Sequence, residues 1–513
     1  MPLSQILVSF SLYLGLWSFT TASDARCFPS NFQFGAELHD YNVSGVERVS
    51  AMGLSSVQFS MSWSRVMQWN AETNKMQVNR EGVEFYHTLL NELQVHGLQA
   101  AVTLSHFDLP STLQDGWLHS DIVTHFEAFA SLAFNEYGHR VKFWVTFNEP
   151  LTFINGGYGS RNAAEGVKSS NDYTVAHNVL CAHARAVALF RELKQQDVVD
   201  ASARIGIELN AEYGYPVEES NARDVAAVER KMQFDLGWFL MPLVTGDYPG
   251  IMRKRVGKRL PQFSREESAL IKGSYDVLML NHYNSRVVTD CDSERSEITC
   301  DKLPQGHARD RWIDDTRARS NTRARNAEFS SLADYSDDYM ATIKWLHAKD
   351  PSTEILLTEN IWCDNDQLQA NMKQMYKAVV EENIPIIGYS VSFLDTYDTV
   401  RTGQNYSKQG SVELTRNLAH LSTTKCLDDW SFETTLKDSE EKKAAEEIRE
   451  KQRNPEGGSN GVSLVPWSLN EVVLLVVVGL AILGAITCEA MRELRLSSQG
   501  SPEELQVLIT IED

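Results

Sequence analysis

Short hydrophobic runs alternate with longer amphipathic stretches between about Phe32 and Leu394. Eight of these runs are nearly continuous in apolar character and rich in β-branched or aromatic residues, which predicts buried strands. They are "FQFGAE" from Phe32, "SSVQFSMSW" from Ser55, "QAAVTLSHF" from Gln99, "VKFWVTF" from Val141, "ARIGIELN" from Ala203, "DVLMLNHY" from Asp276, "EILLT" from Glu354 and "IIGYSVSFL" from Ile386.

Most of the stretches between these runs have the periodicity of helices. In "SDIVTHFEAFASLAF", Ile122, Phe126, Phe129 and Ala133 are spaced so that they share one helix face. Buried strands alternating with helices indicate a parallel sheet, and eight such units predict a closed (β/α)8 TIM barrel. The alternative is an open doubly wound sheet. It would need a glycine-rich phosphate turn after the first strand to bind a nucleotide, and "GAELHDYN" offers none.

Two apolar segments lie outside this alternation. The first is at the N-terminus, where an apolar run from Ile6 to Trp17 is followed by small residues. This pattern is typical of a signal peptide cleaved near Ser23. The second has no charged residue from Val472 to Cys488 and is followed by Arg492 and Arg495, which predicts a membrane-spanning helix with a cytoplasmic tail. The predicted division is 1–23 signal peptide, 24–435 luminal or extracellular barrel, 436–470 polar juxtamembrane stalk, 471–489 transmembrane helix and 490–513 cytoplasmic tail.

The composition allows a large folded core. The chain has 513 residues, is 42% hydrophobic and has a formal net charge of −21, which argues against a nucleic-acid partner. From the predicted signal peptide and membrane-spanning helix together, we expect a single-pass type I membrane protein of the cell surface or of the ER or lysosomal membrane. The sequons at Asn42 and Asn405 are candidate glycosylation sites.

The seven cysteines fit an oxidising compartment without forming a dense disulfide scaffold. Cys291 and Cys300 lie close together in one polar loop, and we predict a disulfide between them. The pairing of the others is left open by the sequence. They include Cys27, Cys181, Cys363 and Cys426.

Arginines are concentrated in "RDRWIDDTRARSNTRAR", within the long connection between the sixth and seventh predicted strands. A solvated loop is the interpretation that this pattern favours. A patch that binds an anion or a partner is the alternative.

Two predicted strands end on a glutamate beside an asparagine. One ends in Asn148 and Glu149, and the other in Glu359 and Asn360. A buried carboxylate is costly unless it is paired, hydrogen-bonded or used in chemistry. In a barrel, the carboxyl ends of the strands surround the active-site mouth, so both glutamates would face it. Opposed carboxylates are what glycoside hydrolysis requires; two structural glutamates held in ion pairs are the alternative.

The same residues carry a family resemblance. "FWVTFNEP" resembles the acid/base motif of family 1 glycoside hydrolases, the β-glucosidase, lactase and klotho group, and "LLTENIW" is similar to that family's nucleophile motif. Further similar segments follow in the family's order from about Phe28 to Val412. They are "FPSNFQFGA", "SMSWSRV", "VNREGVEFYHTLLNEL", "AVTLSHFDLP", "NHYNSR" and "IIGYSVSFLD". The resemblance implies a retaining β-glycosidase acting on small β-glucoside-like or β-galactoside-like substrates or oligosaccharides, without cofactor or metal.

Carried over residue by residue, the resemblance makes Glu149 the general acid/base and Glu359 the nucleophile. It also assigns substrate-binding roles. These fall to Asn148 at the sugar 2-hydroxyl, His106 near the 3-hydroxyl, Tyr283 beside the nucleophile, and Asp398 where the family holds the distal hydroxyls.

The chain also departs from the family pattern. Gln58 stands where the family has an arginine that keeps the nucleophile charged, and the sugar-gripping first loop is missing after "GAE". Phe107 replaces a tryptophan, and Ile361 replaces the glycine after the nucleophile motif. A klotho-like barrel is therefore the alternative function. Such a barrel would have little or no activity and would present a secreted protein or glycan at the membrane. A third alternative is that a coding segment for the first loop is missing, which transcript sequence across "GAELHDYN" would test.

Overall fold

The computed structural model describes residues 26–38, 43–70, 72–73, 75–113, 116–158, 171–282, 285–303, 305–318, 333–360, 365–392 and 408–427. Its strands, in chain order, are β1 (Gln33–Glu37), β2 (Ser56–Ser60), β3 (Met67–Asn70), β4 (Lys75–Val78), β5 (Gln99–Thr103), β6 (Val141–Asn148), β7 (Arg204–Asn210), β8 (Tyr213–Pro216), β9 (Leu278–Asn281), β10 (Ser285–Asp290), β11 (Ile313–Ala318), β12 (Ile355–Asn360) and β13 (Ile386–Ser392).

Eight parallel strands close into a barrel in the order β1, β13, β12, β9, β7, β6, β5, β2. Closure is visible at Gly35, which is in register with Ser390 on one side and with Ser56 on the other. The eight barrel strands are the eight that the hydrophobic pattern predicts, so the (β/α)8 prediction is confirmed. The remaining strands form a hairpin, β3–β4, and a three-stranded sheet in the order β11, β10, β8.

Helices surround the barrel. They are α1 (Val43–Ala51), α2 (Trp63–Val66), α3 (Arg80–Val95), α4 (Ile122–Tyr137), α5 (Pro150–Phe153), α6 (Asn171–Gln195), α7 (Ala222–Asp235), α8 (Gly237–Thr245), α9 (Gly250–Val256), α10 (Arg265–Ile271), α11 (His307–Arg311), α12 (Ala333–His347), α13 (Asn365–Tyr376) and α14 (Lys408–Thr424). On α4, the predicted apolar face of Ile122, Phe126, Phe129 and Ala133 is buried.

The barrel interior changes character along its axis. A small apolar cluster fills the middle. Its members are Ala101, Phe143, Val145, Val277, Met279 and Leu356. Toward the carboxyl ends of the strands, buried polar side chains replace apolar ones. These are Glu37, Asn148, Glu208, Asn281 and Thr358. The apolar cluster packs the inside of the barrel. The polar side chains at its carboxyl end are those that could form a binding or catalytic site.

Two disulfides hold the described structure. Cys27 pairs with Cys426, which ties the segment before β1 to the segment after α14. Backbone hydrogen bonds accompany this link, including one from Phe28 N to Lys425 O at 2.7 Å. Cys291 pairs with Cys300, as their spacing predicts. Cys181 is the free cysteine of the part of the chain that the structure describes.

Among the described helices, none is long and apolar enough to cross a membrane. The predicted signal peptide and the segment 471–489 lie outside the described residues, and so do the sequons at Asn42 and Asn405. The signal peptide, anchor and glycosylation therefore stay predictions.

The solvated-loop interpretation of the arginine run is wrong for Arg311. This side chain is buried on α11, where Nη1 donates to Asp235 at 3.2 Å and to Asp315 at 2.8 Å. Lys231 and His307 also contact Asp235. The carboxylate of this one aspartate is therefore contacted by three buried side chains. Burial opposes ionisation of Asp235, but Lys231 and Arg311 outweigh it and hold the pKa of Asp235 well below its usual value. The sequence shows the run of arginines, but it does not show that Arg311 pairs with Asp235 of α7 inside the protein.

We expect Asp235→Asn to lower the free energy of unfolding by about 3–5 kcal/mol, because it leaves the buried Lys231 and Arg311 with Asp315 as their one remaining carboxylate partner among the described residues. Urea unfolding at neutral pH measures this loss. Asp247→Asn is the matched control, since Asp247 pairs with Arg253 at the surface, and its loss should stay within about 1 kcal/mol. Equal losses in the two variants would contradict a stabilising role for the buried network.

Candidate active site

The two predicted glutamates both lie at the carboxyl end of the barrel. Glu149 directly follows β6, and Glu359 is the penultimate residue of β12. Both are nearly buried, with exposed fractions of 5% and 8%. The barrel order places β9 and β7 between their strands, so the carboxylates approach the mouth from different sides.

The backbone is irregular at each glutamate. The register shifts between Val145 and Asn148 on β6 and between Leu357 and Asn360 on β12. The φ angles of Glu149 and Glu359 are 41° and 46°, in the left-handed region that residues other than glycine seldom adopt. Bulges and strained backbone at a barrel rim redirect side chains and are concentrated at functional sites. The fold therefore holds both glutamates in the same uncommon conformation.

A directed set of hydrogen bonds connects the two carboxylates. Thr358 Oγ1 donates to Asn281 Oδ1 at 2.6 Å. Asn281 Nδ2 then donates to Glu149 Oε1 at 2.9 Å and to Asn148 Oδ1 at 3.2 Å. Asn148 Nδ2 in turn donates to Glu359 Oε1 at 2.9 Å. Two buried amides thus fix the carboxylates relative to each other.

Glu149 has a further donor on its other oxygen. Thr152 Oγ1, in the first turn of α5, donates to Glu149 Oε2 at 2.8 Å. Asn210 Nδ2 donates to Thr152 Oγ1 at 2.7 Å, so the carboxyl end of β7 supports this contact. Both oxygens of Glu149 are therefore oriented by neighbouring side chains.

His106 lies beside Glu359 and is held as a neutral imidazole. Asn148 Nδ2 donates to His106 Nε2 at 2.8 Å, which leaves Nδ1–H to donate to Ser60 Oγ at 2.8 Å. Burial lowers the pKa of His106 to about 4. The predicted sugar-binding histidine therefore contacts the same amide as Glu359, and its Nε2 lies 3.9 Å from Glu359 Oε1.

Two further glutamates that the sequence reasoning missed lie in the same cluster. Glu37 ends β1 and Glu208 lies on β7, and both are almost completely buried. Burial, followed by the nearby charge of Glu359, raises the pKa of each well above the usual carboxyl range. Both are therefore protonated under conditions that ionise an ordinary glutamate. The available signal was their place in "FQFGAE" and "ARIGIELN", near the ends of predicted strands.

Gln58 does not take over the role of the family's arginine. Its Nε2 donates to Glu208 Oε2 at 2.8 Å, and the side chain is buried. Position 58 is thus occupied by a neutral donor paired with a carboxyl group of the neighbouring cluster. Protonation of Glu37 and Glu208 limits the negative charge that the buried cluster has to carry.

The structure thus brings Glu149, Glu359, His106 and Asn148 together. Tyr283, Asp398 and Ile361 lie outside the described residues, so their predicted roles stay untested. Glu37, His106 and Glu359 have ligand atoms within 4.8 Å of one another and are the residues here that could hold a cation. Both ring nitrogens of His106 already take part in hydrogen bonds, so a cation would have to displace one of them.

The raised pKa of Glu37 gives a pH-dependent stability. The folded chain keeps a proton on Glu37 that the unfolded chain loses above about pH 4.5. The corresponding stability is fully present below that pH and is lost as the pH rises through the raised pKa. We expect Glu37→Gln, which mimics the protonated form, to flatten the fall in unfolding free energy between acidic and alkaline pH, as measured by urea titrations at several pH values.

Glu136→Gln is the control for this prediction. Glu136 is a partly exposed carboxylate on α4 that pairs with Arg80 at 2.7 Å. Its replacement should leave the pH dependence close to that of the unchanged protein. A Glu37→Gln profile that superimposes on the Glu136→Gln profile would contradict a protonated Glu37.

An eight-stranded α/β barrel with carboxylates facing one another at its mouth is an architecture of glycoside hydrolases. The chain belongs to glycosyl hydrolase family 1, whose family model matches residues 25–403. This confirms the family resemblance of the sequence motifs.

Individual relatives agree with this assignment. β-Glucosidase 32 of Arabidopsis thaliana is 30% identical over 421 residues, covering 75% of this chain and 77% of that protein. β-Glucosidase 11 of rice, Oryza sativa subsp. japonica, is 40% identical over 272 residues, but the match spans only 50% of each chain. Among solved structures, an aphid myrosinase has a TM-score of 0.65 at 23% identity, covering 78% of this chain and 100% of its own, which supports the fold.

Proposed function

We propose that this protein is a retaining β-glycosidase that hydrolyses β-glucoside-like or β-galactoside-like substrates by double displacement. The observation that carries the proposal is the pair Glu149 and Glu359, joined through the amides of Asn148 and Asn281 at the barrel mouth. Its membership in family 1 supports the retaining course.

In the first step, a carboxylate oxygen of Glu359 forms a bond to the anomeric carbon. The bond from that carbon to the leaving oxygen breaks, and the Glu149 carboxyl group gives its proton to the leaving oxygen. The product of this step is a glycosyl ester on Glu359. The amide of Asn148 orients the attacking carboxylate, because it donates to Glu359 Oε1.

In the second step, Glu149 acts as a base. It takes a proton from a water molecule as the water oxygen bonds to the anomeric carbon, and the ester bond to Glu359 breaks. The two inversions give net retention. The hydrogen bonds from Asn281 and Thr152 hold Glu149 in position for both steps.

Trapping of the intermediate tests this proposal. The purified chain is incubated with a 2-deoxy-2-fluoroglucoside that has an activated leaving group, and the labelled peptide is identified by mass spectrometry. We expect covalent sugar on Glu359 together with loss of aryl β-glucoside hydrolysis. Absence of both label and turnover over a broad substrate panel and pH range would contradict the proposal.

A klotho-like binding role is the second candidate, and Gln58 favours it. The pairing of Gln58 with Glu208 leaves a neutral side chain at a position that normally supports the nucleophile's charge. In this case the barrel would bind a secreted protein or a glycan. A phenotype that survives the combined Glu149→Gln and Glu359→Gln substitutions but not removal of the anchor would favour binding over catalysis.

We also propose that residues 471–489 anchor the barrel in a membrane of the secretory pathway, with the barrel on the luminal or extracellular side. The uncharged run from Val472 to Cys488 and the arginines after it support this orientation. Membrane fractionation of the full chain against a chain ending at residue 470 tests it. Equal membrane recovery of the two would overturn it.

A further inference from the structure

A second cluster of chemically versatile side chains lies away from the barrel mouth, between helices α6 and α10. His177 and Cys181 come from α6 and Glu267 from α10. One ligand atom from each lies within 4.8 Å of the others, and all three residues are partly exposed. The reaction proposed above uses none of them.

Helix geometry explains why these atoms meet. His177 and Cys181 are four residues apart, so their side chains lie one turn apart on the same face of α6. Glu267 is the third residue of α10 and is held by a capping box, in which its Oε2 accepts from Ser264 N at 2.7 Å. Its Oε1 therefore remains directed toward α6, where Cys181 Sγ lies 3.8 Å away.

The ring of His177 is also fixed. It stacks on Phe263, with centroids 4.6 Å apart and planes at 19°. His177 Nδ1 lies 3.2 Å from the hydroxyl of Tyr248. Ligating histidines in proteins commonly use one ring nitrogen for the metal and hydrogen-bond through the other. Nε2 is accordingly the ring atom for a ligand.

We propose that His177, Cys181 and Glu267 form a zinc site, with water as the fourth ligand. Imidazole, thiolate and carboxylate are the three side-chain ligands that zinc binds in proteins, and a tetrahedral site with usual bond lengths separates sulfur from oxygen by about 3.5 Å. The observed separation of 3.8 Å is close to this. The histidine ligand atom lies within 4.8 Å of both the sulfur and the carboxylate oxygen, so movement of the histidine ring completes the geometry.

The charges around the site permit a cation. Arg185 and Arg253 lie near Cys181 and His177. Arg185 pairs with Glu127 at 3.2 Å, and Arg253 pairs with Asp247. Their positive charges are thus offset locally. Partial exposure of all three ligands leaves a path for the metal and for the fourth, water ligand.

Binding has a defined proton balance. The Cys181 thiol must lose its proton to become the ligand, and that proton passes to solvent as the zinc–sulfur bond forms. The carboxylate and the neutral imidazole bind without further release. We therefore expect affinity to rise about tenfold for each pH unit between mildly acidic and neutral pH, once the histidine is neutral.

Cobalt substitution tests the site in the full-length protein. We expect one Co²⁺ per chain to give a thiolate-to-cobalt charge-transfer absorption that Zn²⁺ abolishes by displacement. The absorption should be absent in Cys181→Ser, and Zn²⁺ affinity should fall at least about tenfold in His177→Gln and in Glu267→Gln. Unchanged affinity in either of these two variants would overturn the assignment of that ligand.

Glu266→Gln is the matched control, because Glu266 is the exposed neighbour of Glu267 on α10. It should bind like the unchanged protein, and thermal melting of each variant without metal checks that it folds. Failure of the unchanged protein to develop the thiolate absorption would overturn the proposal. Persistence of the absorption in Cys181→Ser would also overturn it, since the sulfur would then come from another cysteine.

Discussion

We expect Glu359→Gln to lower the turnover of an aryl β-glucoside by about 10⁴- to 10⁶-fold without unfolding the protein. Glutamine keeps the shape of the side chain, and its carbonyl oxygen can still accept from Asn148 Nδ2, the donor to Glu359. The neutral amide, however, does not attack the anomeric carbon. Single-turnover and steady-state kinetics with a chromogenic glucoside measure the loss.

The matched control for this prediction is Glu354→Gln. Glu354 directly precedes β12, at the opposite end of the strand from Glu359, and pairs with Arg204 at the barrel's other face. Its replacement should leave kcat within about threefold and lower stability by at most about 1 kcal/mol. If Glu359→Gln turned over substrate at a rate within tenfold of the unchanged protein, Glu359 could not be the nucleophile.

The barrel could be predicted from the sequence because its strands are buried on both sides. Such strands produce continuous apolar runs, and the amphipathic helices between them mark the crossover connections. The eight strands were therefore visible as eight separate runs. The positions of Glu149 and Glu359 followed as well, since the carboxyl ends of all eight strands must meet at one face.

The neighbours of these glutamates could not be predicted in the same way. Whether Glu37 and Glu208 approach Glu359 depends on the stagger between strands that are distant in sequence. Hydrophobic periodicity identifies a strand but does not fix its register across a closed barrel. The pairing of Gln58 with Glu208 has the same origin, because it joins β2 to β7 across the interior.

Backbone strain was also beyond the sequence. Nothing in "TFNEP" or "LTENIW" shows that Glu149 and Glu359 have positive φ angles, since neither segment has a glycine to signal one. The structure adds the reason why an unfavourable conformation recurs twice in one site. One register shift precedes Glu149 on β6 and another spans Glu359 on β12, and such irregularities redirect side chains at a barrel rim.

Loss of the arginine at position 58 and the presence of Glu37 and Glu208 are physically related. Several buried carboxylates cannot all be ionised at close range in a low-dielectric interior, so some keep their protons. The raised pKa values of Glu37 and Glu208 show which ones do so. The site therefore limits its charge through the protons on Glu37 and Glu208 instead of through a guanidinium group.

We expect Glu149→Gln to slow hydrolysis of alkyl β-glucosides by about 10²- to 10⁴-fold, because the leaving oxygen no longer receives a proton. The loss in the first step should shrink with a dinitrophenyl leaving group, which departs without protonation. Measuring kcat/KM over a series of leaving groups separates this effect from a general loss of binding. A uniform loss across the series would contradict the assignment of Glu149 as general acid.

The second step provides an independent check on Glu149. Without a general base, attack by water on the glycosyl ester is slow, whereas azide attacks without giving up a proton. Added azide should therefore restore turnover of the dinitrophenyl glucoside by Glu149→Gln and yield the β-glycosyl azide. Thr152→Val is the control, since it removes only one donor to Glu149 and should need no azide. Only removal of the base should make turnover depend on azide. If azide restored turnover in both variants, or in neither, Glu149 would not be the base.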